Sequence, residues 1–177
     1  MENCFKQLVL SRQSCRNFND KPIEKQTVLD IAKLAMLAPS ACNSQPWKMY
    51  VITDLDKVNG VAKSLQDYGH NTFTDKAKAF IVLTEQQATL KESVSQRFSR
   101  NHFVKYDIGE LTAYITLGAQ SMGVSSCIIG LINQEKLRNV LDLKEDEVSN
   151  IVVALGYSDI AVRTKIRKSE SDVITLL

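Results

Sequence analysis

The sequence predicts an α+β fold in which helices and strands intermix around one sheet. Three observations carry that reading. Apolar residues recur at helical spacing in several separate windows. Short alternating or continuous apolar runs of β-prone residues stand between those windows. Seven glycines and three prolines are all that punctuate 177 residues, and no repeat or low-complexity stretch is visible. Neither a linker nor a second domain is expected, so residues 1–177 read as one domain with short arms at either end.

Taken in order, the elements begin after Pro22, where Val28, Ile31, Ala32, Ala35 and Met36 share a helical face; a helix from about Glu24 to Leu37 follows, with Pro39 as its stop. Trp47 to Thr53 alternates and is β-prone. Leu55 to Leu65 reads as an amphipathic helix. Ala79 to Thr84 is a continuous apolar run suited to a strand covered on both faces. Ile108, Leu111, Ile115, Gly118, Ala119 and Met122 mark the face of a central packing helix, whose small Gly118 and Ala119 admit close approach of another backbone, and Gly123 caps it. Ser125 to Ile129 reads as a short strand, Gln134 to Leu141 as a short helix, and Ile151 to Gly156 as another buried strand. The tail, Val173 to Leu177, is apolar and β-prone. A free terminal strand of that kind invites aggregation, so it is expected to pair with a sheet edge, that of this chain or of a partner subunit.

Composition excludes several classes. A formal net charge of +2 is too small for a general nucleic-acid or membrane-surface reading. No apolar run approaches the roughly 20 residues of a spanning helix, and Met1 to Phe5 lacks a cationic leader, so a cytoplasmic, soluble protein is expected, with no membrane or nucleic-acid partner. Cys4, Cys15, Cys42 and Cys127 contain no Cys-x-x-Cys pair, and His70 and His102 do not stand at ligand spacing from them. No metal site is expected; the cysteines read as reduced and mostly buried, with Cys42 of interest for its position. Neither a Gly-x-Gly-x-x-Gly nor a P-loop motif occurs.

Two segments carry chemistry. Arg12, Ser14 and Arg16 alternate, so in an extended segment two guanidinium forks flank a hydroxyl on one side, which makes a phosphate receptor. The plainer reading of the same residues is a basic surface turn. Pro39 to Trp47 (Pro-Ser-Ala-Cys-Asn-Ser-Gln-Pro-Trp) runs from a buried helix into a strand, and Asn43 and Gln45 each offer a donor and an acceptor of the kind that reads a heteroaromatic ring edge. Asn and Ser also serve turns for local reasons, and Trp47 can be a core anchor.

Arg-x-Ser-x-Arg followed, after one helix, by Ala-Pro-Ser-x-x-Asn-x-Gln-Pro-Trp resembles the opening of the nitroreductase family. The likeness continues at Gly123 to Leu131, at Val153 to Tyr157 and at Lys165-Ile166-Arg167. The resemblance implies a three-layer α+β fold with a central mixed sheet flanked by helices, and an intertwined homodimer with FMN at the interface. It implies that Arg12, Ser14 and Arg16 hold the FMN phosphate with Lys165 and Arg167, and that Gln13 also belongs to the cofactor site. Asn43 and Gln45 would meet the ring or ribityl chain from the same or the partner subunit. The backbone at Ile129 and Gly130 would approach the reactive ring edge, glycine permitting close approach. No catalytic acid or base is nominated, because the flavin carries the chemistry.

The activity so implied is transfer of electrons from NADH or NADPH through FMN to a small acceptor such as a nitroaromatic or quinone, in ping-pong order. Alternatives stay open: FMN storage, sensing or regulation without turnover; another flavin chemistry such as dehalogenation or flavin fragmentation; or a plain α+β domain with a basic loop. Residues 86–105 are where family members differ over the substrate pocket. There Arg97, Arg100 and His102 read as a solvated polar segment or as a receptor for an acidic substrate or dinucleotide phosphate, and Tyr68 and Phe73 as a lid or as packing.

Overall fold

Helices on both faces of a four-stranded sheet give the chain three layers. The computed structural model describes residues 4–177 and contains helices α1 (Cys4–Ser11), α2 (Lys25–Ala35), α3 (Leu55–Ser64), α4 (Glu92–Ser95), α5 (Val104–Ser121) and α6 (Gln134–Leu141). The strands are β1 (Trp47–Ile52), β2 (Ala79–Glu85), β3 (Ser125–Ile129) and β4 (Ser149–Gly156), in the spatial order β1-β2-β4-β3. Every pairing between these strands is antiparallel. The parallel component expected of a mixed sheet is carried by a single bridge, Ser14 to Ser126.

Side-chain alternation sorts the core into two slabs. Phe80 and Val82 of β2, Val152 and Ala154 of β4, and Cys127 and Ile129 of β3 face α3 and α6. Ala79, Ile81 and Leu83 of β2, with Val153 and Leu155 of β4, face α2 and α5. The continuous apolar runs of β2 and β4 thus follow from their place at the centre of the sheet, where both faces are covered. Asp54 and Asn133 cap α3 and α6 by accepting from the Lys57 and Lys136 backbone N–H groups at 3.1 and 2.9 Å.

Sequence periodicity placed every strand and the long helices to within a few residues. It missed α1, read as an arm, and the single turn of α4; neither buries a residue, so neither leaves an apolar stripe to read. The neighbour admitted by Gly118 is a side chain of α2: a Cβ there would lie 3.2 Å from Leu34 Cδ2. Gly123 ends α5 with φ of +71°, as a helix-terminating glycine does. Within this chain the tail forms no strand. Residues 170–172 make one 3₁₀ turn, and Val173, Ile174, Leu176 and Leu177 are exposed.

Candidate functional site

The segment from Arg12 to Asn19 is laid against the β3–β4 end of the sheet by backbone bonds and one ring. Cys15 N–H donates to Ser126 O and Asn19 N–H to Tyr157 O, both at 2.8 Å, and Phe18 is buried between them. Docked there, the segment buries Cys15 and Phe18 and leaves Arg12, Ser14 and Arg16 on the outer side. After β4 the chain doubles back over this segment without regular structure. Lys165 Nζ donates to Arg12 O at 2.6 Å and Arg163 Nη2 to Ser14 O at 2.8 Å.

Between the two segments lies a cleft of about 360 Å³ lined by Arg12, Gln13, Ser14, Arg16 and residues 163–167. Six of the expected site residues, Arg12, Gln13, Ser14, Arg16, Lys165 and Arg167, therefore meet in one place although about 150 positions separate the two groups in the chain. Arg163 joins them. It escaped sequence reading because nothing but its tertiary position distinguishes it from other solvated cations. Five cations and no Asp or Glu line the cleft. Lys165 is held below the usual lysine range by desolvation and then by the charges of Arg12, Arg167 and Arg163. Crowded like charges with no counter-ion are the signature of a surface built for an anion.

Two further expected residues lie along β3. Ser126 pairs beside the cleft, and Ile129 and Gly130 follow three and four residues on, roughly 10–13 Å away at strand spacing. Ile129 is buried in the core. Gly130 is exposed, and neither φ nor packing demands a glycine: its φ is not positive, and a Cβ would meet Asn150 O at an ordinary 3.7 Å.

Asn43 and Gln45 do not line the cationic cleft. They belong to a tight turn in which Cys42, Asn43 and Gln45 all have positive φ, at 55°, 52° and 49°. Left-handed L-residues cost about 1–3 kcal/mol each, and surrounding bonds over-determine this turn. Ser40 Oγ accepts from Gln45 N–H at 2.9 Å, Ser44 Oγ from Thr89 N–H at 2.6 Å, and Asp107 Oδ1 from Ala41 N–H at 3.0 Å. Gln45 Nε2 donates to Asn43 O at 3.1 Å, leaving both exposed side chains with further bonding capacity. Trp47 packs on the α2–α5 core slab, as a core anchor does.

A second hollow of about 620 Å³ runs between residues 39–41 of this turn and His102, Phe103, Tyr106, Asp107 and Glu110. His102 stacks among aromatic rings, 4.7 Å from both Phe98 and Phe103, and two carboxylates share its hollow. Within this chain His102 and Arg100 line different hollows, Arg100 lining one with residues 87–90. The sequence could not show that the first two turns of α5 bring Asp107 and Glu110 into the hollow that His102 lines. Phe73 packs against the core, 6.4 Å from the Phe18 ring, while Tyr68 is exposed. Burial pushes the Cys127 thiol up; Cys15 is likewise buried, Cys42 is half-buried and Cys4 exposed. Among the described residues no group of His, Cys, Asp or Glu could hold a metal ion, and no helix is long and apolar enough to cross a membrane.

Fold and cleft together define an α+β protein with a cation-lined cleft at one end of its sheet. The chain belongs to the nitroreductase family, whose model matches residues 9–157. It is 28% identical over 204 residues to the oxygen-insensitive NADPH nitroreductase of Helicobacter pylori, covering 97% of this chain and 96% of that protein. Among solved structures it is similar to a nitroreductase family protein of Streptococcus pneumoniae, with a TM-score of 0.84 at 22% identity over 98% of this chain and all of that one. It is also similar to an FMN-dependent nitroreductase of Clostridium difficile, with a TM-score of 0.70 at 24% identity over 94% of this chain and 92% of that one.

Proposed function

We propose that this chain is an FMN-dependent oxidoreductase that passes electrons from NADH or NADPH to a small acceptor, such as a nitroaromatic or quinone, in ping-pong order. Family membership and the NADPH nitroreductase relative support an oxidoreductase. The observation that carries the flavin reading is the cleft in which Arg12, Arg16, Arg163, Lys165 and Arg167 converge with Ser14 and no carboxylate. A phosphate monoester fits that donor set, since planar guanidinium groups match its oxygens and the dianion relieves the repulsion between the cations.

From the cleft, β3 leads to Gly130, which this chain's own packing does not require to be glycine. Close approach of a ligand to the backbone there accounts for it. Ile129 and its neighbours close the core behind that edge and keep water from one side. When bound, FMN supplies the hydride and electron transfer, and the protein's share is to hold it and leave one face open.

Asn43 and Gln45 stand in a strained, well-pinned turn that does not line the cleft of their own chain. That separation favours a homodimer in which the turn of one copy faces the flavin held by the other. The exposed tail, Val173 to Leu177, favours the same arrangement, as a strand given to the partner's sheet edge. A soluble, cytoplasmic homodimer with FMN at its interface is the assembly we infer.

The test is the absorption spectrum of the freshly purified protein followed by anaerobic titration with NADH and NADPH. A yellow protein bleached by nicotinamide and recoloured by a nitroaromatic or quinone is expected. A yellow protein that neither nicotinamide reduces would point instead to storage or regulation, and a colourless one that fails to retain added FMN would overturn the flavin reading.

A further inference from the structure

Gln13 lines the cationic cleft, yet its amide faces the returning chain. Its Oε1 accepts from the Arg163 backbone N–H at 3.1 Å and from Arg163 Nε at 3.2 Å, and its Nε2 donates to Ala161 O at 3.2 Å. Both ends of the side chain are thereby engaged within the protein. Arg163 in turn directs Nη2 at Ser14 O, so two of its three guanidinium nitrogens point at protein acceptors and its bidentate edge is not offered to a ligand. Lys165, two residues on, directs its ammonium at Arg12 O, and two of its three N–H groups stay available.

We propose that Gln13 and Arg163 are positioning residues, a latch that fastens residues 161–167 over residues 12–14 and so presents Lys165 and Arg167 to the phosphate. The inference rests on the reading of this cleft as the FMN phosphate site. The need for a latch follows from charge and from backbone. Residues 157–169 have no regular secondary structure, so no ladder of main-chain bonds fixes them. Five cations in two facing segments repel one another whenever no anion lies between them. Bonds to neutral acceptors must therefore hold the segment in place beforehand, which lowers the ordering cost of binding.

Glutamine suits the position better than glutamate. Its carbonyl accepts both Arg163 donors without adding a negative charge to a site that must receive a dianion, and its N–H₂ reaches Ala161, which a carboxylate cannot bond. Lysine at 163 would keep the charge but lose the fork that reaches Gln13 and Ser14 together.

The experiment strips flavin from the full-length protein and titrates FMN and riboflavin by flavin fluorescence, using Gln13→Ala, Arg163→Lys, Arg163→Ala, the Gln13→Ala/Arg163→Ala pair and Arg12→Ala as a direct-contact control. Hydrogen exchange of residues 161–167 is followed in parallel. Gln13→Ala is expected to weaken FMN on the order of tenfold while riboflavin binding is unchanged and exchange in 161–167 speeds up. Arg163→Lys should lose as much as Arg163→Ala, and the pair no more than either single change. Wild-type FMN affinity in Gln13→Ala or Arg163→Lys, with Arg12→Ala impaired, overturns the latch alone. Equal losses for FMN and riboflavin overturn it as well, because the effect is then general damage. Unchanged affinity in Arg12→Ala overturns the phosphate assignment beneath it.

Discussion

Phe18 fills the space that Gly156 leaves open: a Cβ at residue 156 would lie 2.8 Å from Phe18 Cδ1 and 3.1 Å from Cγ. The ring is the inward anchor of the segment that carries Arg12, Ser14 and Arg16, so the last residue of β4 decides where the cationic cleft lies. Gly156→Ala should cost about 1–3 kcal/mol through overpacking and weaken FMN retention with it. Urea unfolding and flavin content of the purified variant check both, and wild-type values for the two would show that the ring shifts freely.

Arg12→Ala and Arg16→Ala each remove a charge-assisted contact from the proposed phosphate. A loss of about 1.5–3 kcal/mol in FMN binding is expected for each, roughly ten- to a hundredfold in Kd, with riboflavin unaffected. Titration of the flavin-free protein with both ligands measures it.

Lys165 gives a pH signature. Desolvation and the neighbouring cations hold its pKa below the usual lysine range in the ligand-free chain, and a bound dianion favours the charged form and raises it again. Between the two values binding takes up a proton, so FMN affinity falls as pH rises through that window. In the ligand-free protein the same depression lets the unfolded chain bind more protons, and stability rises with pH over the corresponding range. Kd measured against pH should show the alkaline decline, and Lys165→Met should flatten it.

Gly130→Ala separates folding from function. With a Cβ there no closer than 3.7 Å to Asn150 O, the thermal midpoint should stay within a degree or two of wild type, an effect of roughly 0.5 kcal/mol or less. Flavin affinity or turnover should fall if the backbone closely faces a ligand. Full activity in the variant would remove Gly130 from the site.

Deleting residues 173–177 should dissociate the proposed homodimer and release its proposed flavin together. Light scattering coupled to size exclusion reports the first and the visible spectrum the second. A flavin-loaded dimer after deletion would mean the tail is dispensable to assembly.

Much of this molecule was legible because local patterns carry it. The runs at Ala79 to Thr84 and Ile151 to Gly156 read as fully covered strands because both occupy the centre of the sheet, and Arg12-Ser14-Arg16 read as a phosphate receptor because strand alternation alone puts the three on one side. Cys4–Ser11 was not legible as a helix because it buries nothing, so its side chains show no periodic constraint. Nor did any local signal mark Arg163 or give Gln13 its partner, since their bonds join residues about 150 apart.

What the sequence by itself determined is therefore the strands, the helices that bury an apolar face and the donor groups of two motifs, because periodicity and side-chain type are local properties of the chain. What only the tertiary structure decided is which motifs share a site. Return of the chain after β4 brought Arg163 and Lys165 onto the Arg12 segment, whereas Asn43 and Gln45 were carried to a turn pinned by Ser40 and Asp107, away from the cleft of their own chain. Long-range packing sets such distances, through contacts like that of Phe18 with Gly156, and no spacing along the chain encodes them.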